Sequence, residues 1–207
     1  MHDWVIRGGV AVDGLGTAPR EADVAIDAGR ITEVGRVVEA GHQELDARGK
    51  LVTPGFVDIH THYDGQATWD ELLTPSCWHG VTTVVMGNCG VGFAPVRRGQ
   101  EDFLIGLMEG VEDIPGTALA AGMVWGWESF PEFLDALDSR SHVLDIGTQV
   151  PHGPVRSYVM GARGARNEPA TPEDIAQMAA IVKLRRSPQD WDRSGTDRPG
   201  QGPCPIR

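Results

Sequence analysis

The sequence predicts an α/β protein in which a small β-rich module leads into the opening units of a parallel sheet. Three observations carry this. Residues 3–53 hold short β-rich runs punctuated by Gly or Asp-Gly. From Lys50 onward, strand-like and helix-like stretches alternate. After Lys183 the periodicity stops and the balance of charge reverses.

In the N-terminal module, Trp4–Arg7, Val10–Val12, Asp23–Ile26 and Arg30–Val34 read as strands. Gly8-Gly9, Asp13-Gly14, Asp27-Ala28-Gly29 and Gly35 mark the turns between them. About fifty residues of β structure are few for independent stability, so the module is expected to lean on a neighbour. Leu51 to His62 reads as one buried strand, and Thr68–Leu73 as a helical stretch. Val81–Met86 is a continuous β-branched run ending in Gly87-Asn88-Cys89-Gly90. Runs of that kind, apolar on both faces, suit a parallel strand covered from both sides. Residues 100–111 place Phe103, Leu104, Leu107 and Met108 at helical spacing. Phe130–Leu137 reads as a helix, His142–Val150 as a third strand, and Pro151-His152-Gly153-Pro154 as the loop after it. Glu168–Lys183 is a helix with Thr171 as N-cap, Pro172 at its first position, Asp174 at its third, and an apolar stripe of Ile175, Met178, Ala179 and Val182.

Alternation of strand and helix points to a parallel sheet. About three β/α units follow residue 50, whereas a closed (β/α)₈ TIM barrel needs eight and roughly 250 residues. The expected organisation is therefore a β module over residues 1–53, a partial barrel over 54–183, and a tail over 184–207. From Lys183 to the end, six Lys or Arg stand against three Asp in a stretch rich in Pro, Gly and Ser. That stretch lacks the apolar content to offset its ordering entropy, so a disordered or frame-shifted tail is expected.

The 207 residues carry a net charge of −11 with no basic stripe, which argues against a nucleic-acid partner. No apolar run reaches membrane-span length and no leader pattern opens the chain, so no membrane role and a cytoplasmic location are expected. The three cysteines (Cys77, Cys89 and Cys204) are scattered, which does not describe a disulfide framework.

The candidate chemistry begins at Pro54–His62, which reads Pro-Gly-Phe-Val-Asp-Ile-His-Thr-His. On a strand, residues two apart share a face and lie about 7 Å apart. His60 and His62 thus read either as two imidazoles converging on a metal or as core histidines with satisfied partners. Asp58, one step back on that face, is placed to hydrogen-bond one ring and fix its tautomer. Cys89 ends the next strand, where it is either a small buried hydrophobe or a thiolate ligand facing the histidines. Gly87, Gly90 and Gly92 permit a sharp turn there. His152 and Arg156 follow the third strand, as a solvated pair or as a site for a substrate carboxylate. His79 and Cys77 are expected to pack or face solvent, as are Trp125 and Trp127 to pack.

Taken together, residues 54–64, His79–Val84 and Gly87–Pro95 resemble the amidohydrolase superfamily, and more narrowly the N-acyl-D-amino-acid deacylases (D-aminoacylases). Met108–Gly116 and His152-Gly153 with Arg156 are similar to that branch as well. The resemblance covers about residues 3–183, its N-terminal portion. It implies a (β/α)₈ metal hydrolase with a small β-sandwich built from both chain ends. It also implies that His60, His62 and Cys89 are zinc ligands. The implied reaction converts a small N-acyl-D-amino acid and water to a carboxylate and a D-amino acid. There zinc polarises the carbonyl and activates the water.

In that family the general-base aspartate, two further zinc histidines and the substrate-carboxylate site come from later strands. No counterpart stands in this sequence, so the catalytic base is unassigned. The resemblance thus implies a truncated chain, inactive alone. Two alternatives stay open. One is a relative of the cyclic-amide hydrolases (dihydroorotase or hydantoinase), against which Cys89 argues, because those use a carboxylated lysine as bridging ligand. The other is a non-catalytic remnant acting only as a binding module.

Overall fold

A computed structural model describes residues 1–111 and 114–184. The expected tail falls outside the described residues, apart from Leu184. The chain divides into two compact units, Met1–Gly55 and Phe56–Arg207.

The first unit is a sheet of β1 (His2–Ala11), β2 (Arg20–Asp27), β3 (Arg30–Gly35), β4 (Gly41–Asp46) and β5 (Leu51–Val52). Its order is β3-β2-β1-β4, with β5 also paired to β1. The two sequence runs Trp4–Arg7 and Val10–Val12 form one strand. Gly8-Gly9 is a bulge within it, not a turn, because the register with β2 shifts between Ile6 and Gly9. Gly8 takes the left-handed φ of +66° and donates its N–H to Asp23 Oδ1 at 2.8 Å. Strand β4 was not expected, for Gly41–Asp46 is polar and exposed. It is held by the parallel ladder to β1 and by Arg7, which donates to Val37 O, Glu39 O and Glu44 Oε1. Val5, Ala25 and Val37 form a small core on one side of this sheet.

The second unit opens with β6 (Phe56–Asp58), β7 (Val81–Met86) and β8 (Asp145–Thr148), a parallel sheet in the order β6-β7-β8. Helices α1 (Glu101–Glu109), α2 (Gly116–Gly122) and α3 (Phe130–Asp138) lie between β7 and β8. Helices α4 (His152–Met160), α5 (Ala162–Ala165) and α6 (Pro172–Lys183) follow β8. The main core joins Val84 and Met86 on one face of β7 to Phe93, Leu104, Met108, Leu119, Trp127 and Phe133. Trp127 donates its indole N–H to Phe93 O at 2.8 Å and lies 5.0 Å from the Phe133 ring.

Several sequence expectations change here. The single strand expected over Leu51–His62 is two short ones, because Pro54 offers no N–H to a ladder and Leu51–Val52 bonds to β1. Nor is β6 buried, with Phe56 and Val57 60% and 57% exposed. Strand β7 buries only Val84 and Met86 fully, its other face being half-covered. In place of a helix at Thr68–Leu73 there are 3₁₀ turns at Gln66–Thr68 and Ser76–His79. The Asp70 carboxylate accepts the Leu72 and Thr74 N–H groups between them, competing with helical bonding. The Pro151–Pro154 loop is instead the start of α4.

Helix α6 starts later than Glu168 but has the expected cap: Thr171 and Asp174 form a reciprocal box, with Pro172 in the first turn. Its apolar stripe is not buried, with Ile175 and Val182 56% and 46% exposed. The buried residue of this helix is Asp174, which pairs with Arg163 at 2.7 Å.

Candidate metal centre

The site forms where β6, β7 and β8 end. His60 and His62 lie in the segment after Asp58, not on the ladder itself. Two devices hold that segment. Asp58 Oδ1 accepts the His60 backbone N–H at 3.1 Å. Buried Thr61 donates both its N–H and its hydroxyl to Val85 O, each at 2.9 Å. With Thr61 turned inward, its two neighbours stand together, ring centroids 5.5 Å apart and 62° between planes. Asp58 therefore orients the His60 backbone.

Cys89 occupies a 3₁₀ turn at Asn88–Gly90 that closes β7. The sequence placed the flexibility in the glycines, and Gly87 and Gly90 do take φ of +80° and +75°. Cys89 itself also takes φ +53°, a conformation that costs an L-residue about 1–2 kcal/mol. The turn presents the sulfur outward, and Cys89 Sγ lies 3.3 Å from His60 Nε2. One donor atom from each of His60, His62 and Cys89 lies within 4.8 Å of the others.

This donor set fits zinc. Tetrahedral zinc with Zn–N near 2.0 Å and Zn–S near 2.3 Å sets N···S edges of about 3.5 Å. The His60–Cys89 separation already matches that edge. The widest pair needs to close by up to about 1.5 Å, within reach of rotation at the exposed His60 and Cys89 side chains. Two imidazoles and a thiolate are also the mixed N/S chemistry that zinc prefers.

His152 begins α4 beside this turn. A Cβ built on Gly90 would stand 3.6 Å from that of His152, and one on Gly153 would meet Gly90 O at 2.8 Å. Arg156, paired with His152 from the sequence, is engaged elsewhere: its guanidinium donates to the Glu168 carbonyl, tying α4 to the segment before α6. Buried His142 bonds Ala67 O at 2.8 Å, a structural role. Cys77 is buried and His79 exposed.

Sequence reasoning passed over Asn88 and Gln149. Asn88 donates to Thr61 O at 3.2 Å and Val85 O at 2.9 Å, and accepts from Gln149 Nε2 at 2.8 Å. Their signal was position: Gln149 directly follows β8, and Asn88 lies two residues beyond β7.

A parallel sheet whose strand ends gather two imidazoles and a thiol defines an α/β protein with a candidate metal site. The chain belongs to the amidohydrolase family, whose model matches residues 43–187. It is 33% identical over 182 residues to a D-aminoacylase of Alcaligenes xylosoxydans xylosoxydans, covering 87% of this chain and 35% of that protein. Among solved structures it is similar to a D-aminoacylase whose binuclear metal centre shows one-metal activation and second-metal attenuation. That match has a TM-score of 0.72 and 30% identity, over 88% of this chain and 36% of the other. It also matches an N-acyl-D-glutamate deacylase of Bordetella bronchiseptica, complexed with zinc and a phosphonate mimic of the tetrahedral intermediate. There the TM-score is 0.66 and the identity 28%, over 88% of this chain and 35% of that one. The chain thus spans about a third of the length of these relatives. Among the described residues, no helix is long and apolar enough to cross a membrane.

Proposed function

We propose that this chain carries the first three β/α units of a (β/α)₈ hydrolase barrel, and with them the metal corner of an amidohydrolase acting on N-acyl-D-amino acids. The single observation that carries this reading is the convergence of His60, His62 and Cys89 donor atoms within 4.8 Å, at the C-terminal ends of parallel strands. In barrel enzymes that is the end where active sites lie. The substrate class rests on the D-aminoacylase and N-acyl-D-glutamate deacylase relatives. The reaction would be hydrolysis of a linear amide to a carboxylate and a free D-amino acid.

His60, His62 and Cys89 would hold zinc. When bound, the ion supplies Lewis-acid polarisation of a carbonyl and a water acidified toward neutral pH. The chain's own contribution is placement. Asp58 and Thr61 fix the backbone on which the two imidazoles ride. The left-handed turn at Cys89 faces its sulfur toward them. His152, beside Gly90, is assigned to the substrate side of the site, with Arg156, whose guanidinium also donates to the Glu168 carbonyl, as its neighbour on α4.

Cobalt(II) tests the reading, because thiolate ligation gives it a charge-transfer band in the near ultraviolet. The wild-type chain should bind one equivalent with that band, and Cys89→Ser should lose the band. A wild-type protein without the band contradicts the metal site.

A further inference from the structure

We infer that Asn88 is the positioning residue of the metal centre: through one carboxamide it locks the ends of all three parallel strands, and so sets the distance between the histidines and Cys89. The inference rests on the metal reading above and deepens it.

The argument begins with the capacity of an amide side chain. Asn has two N–H donors and one carbonyl acceptor. The Asn88 Nδ2 group donates to Thr61 O, between the two histidines, and to Val85 O, near the end of β7. Its Oδ1 accepts from Gln149, the first residue beyond β8. The Asn88 side chain is buried, so its own donors and acceptor have no equal substitute in water, whereas its partner Gln149 is exposed. Gln149 is fixed in its turn by donating its backbone N–H to Met86 O at 2.9 Å. Its carbonyl lies so near Gly87 that a Cβ there would stand 2.3 Å away.

One partner of Asn88, and Asn88 itself, adjoin the candidate ligands. Thr61 is flanked by His60 and His62, and Asn88 is followed by Cys89. A ligand pair drawn from two separate loops has no covalent reason to keep one distance. The loop after β6 and the turn after β7 are joined at this point by the bond from Asn88 to Thr61 O and by the two Thr61 bonds to Val85 O. The latter hold the histidine segment to the strand; the former holds it to the turn that carries the sulfur. Removing the carboxamide leaves the fold's strands paired and frees the turn to drift relative to the histidines.

The shape of Asn88 is also specific. Aspartate keeps the volume but replaces the donors with oxygen, facing two carbonyls that then lack that donor. Changing Gln149 to Glu keeps both Asn88 donors and breaks only the third bond. Removing the whole carboxamide (Asn88→Ala) and breaking only its third bond (Gln149→Glu) therefore form a graded pair.

The test is cobalt(II) titration of the full chain, with competition by a chelator for affinity, the thiolate-to-cobalt band for sulfur ligation, and far-ultraviolet circular dichroism for fold. Loss of an outer-shell partner typically weakens metal binding about 10–100-fold. Asn88→Ala should fall in that range and lose intensity in the thiolate band while its circular dichroism is retained. Gln149→Glu should weaken binding less, by about 3–10-fold, below the usual range for an outer-shell partner. Should Asn88→Ala fail to fold, Gln149→Glu decides alone. Wild-type affinity and an unchanged band in the folded variants overturn the positioning role while leaving the metal reading intact. A wild-type chain that takes up cobalt without the thiolate band overturns the metal reading, and this inference with it.

Discussion

Gly87→Ala offers a test in which space and conformation separate. Gly87 has φ +80°, and a Cβ there would lie 2.3 Å from the Gln149 carbonyl oxygen and 3.0 Å from its nitrogen. An ordinary contact begins near 3.4 Å, so the Gln149 backbone or the turn must move by about 1.1 Å. Neither atom belongs to a flexible side chain, so a rotamer change gives no relief. Gly99 is the control, because it has nearly the same φ, +81°, with nothing within 4 Å of its Cβ. For Gly99→Ala only the left-handed term applies, about 1–2 kcal/mol. It is offset by about 0.4–1 kcal/mol from the stiffer unfolded chain, for a net loss of roughly 1 kcal/mol. Gly87→Ala carries that same term plus the displacement. A site holds its geometry only when its groups stay within about 0.5 Å, so a 1.1 Å shift one residue from Asn88 should lower cobalt affinity at least tenfold. Urea unfolding and cobalt titration of both variants measure the two effects. If Gly87→Ala binds cobalt within twofold of wild type and loses no more stability than Gly99→Ala, the link between this turn and the site is refuted.

Two further predictions concern the units separately. Trp127→Phe removes the indole N–H that reaches Phe93 O and trims a side chain packed on Phe133, so it should cost about 2–3 kcal/mol in urea unfolding; a loss below 1 kcal/mol contradicts the role of that bond. In the first unit, the Asp27 carboxyl is lowered to about 2, chiefly by the Thr32 hydroxyl and then by His2. A depressed carboxylate stabilises the fold above its unfolded value of about 3.9, and that stabilisation is lost as pH falls through the folded value. The gap in urea midpoint between wild type and Asp27→Asn should therefore be present at pH 5 and narrow from about pH 4 to pH 2; a gap that stays constant over that range contradicts the assignment.

The parts of the fold legible in the sequence were those set by local chemistry. The box at Thr171–Asp174 is one, because the residues that form it are three apart and need no distant partner. The strand Val81–Met86 is another, its β-branched run being long enough to exclude other readings. What escaped was decided by partners far along the chain. The polar Gly41–Asp46 strand has no periodic signal; it exists because β1 offers it a ladder and Arg7 draws in its neighbours. Conversely, the Thr68–Leu73 pattern is helical in composition, yet the Asp70 side chain takes the backbone donors a helix would use. The stripe of α6 shows the limit of periodicity from the other side: it identifies a helix correctly while saying nothing of whether its apolar face is covered.

The candidate site was legible for a different reason from the one that makes it work. The period-two argument treated His60 and His62 as neighbours on a strand face. They do stand together, but after the strand has ended, because Thr61 between them is pinned inward to Val85 O. Spacing alone identified the pair; only the tertiary bond explains why spacing still holds in a loop. Cys89 makes the same point more strongly. Flanking glycines announced a turn, yet the residue under strain is the cysteine, held at positive φ by a turn whose other side chain, Asn88, bonds three strand ends through both its donors and its carbonyl. A strained non-glycine residue persists only when its surroundings over-determine it. That conformation brings the sulfur to 3.3 Å from an imidazole nitrogen. Relaxing Cys89 to an ordinary backbone conformation would re-aim the thiol, and the donor set would lose its third member. The strain and the convergence are thus one feature, which a linear sequence carries only as the neighbouring letters Gly-Asn-Cys-Gly.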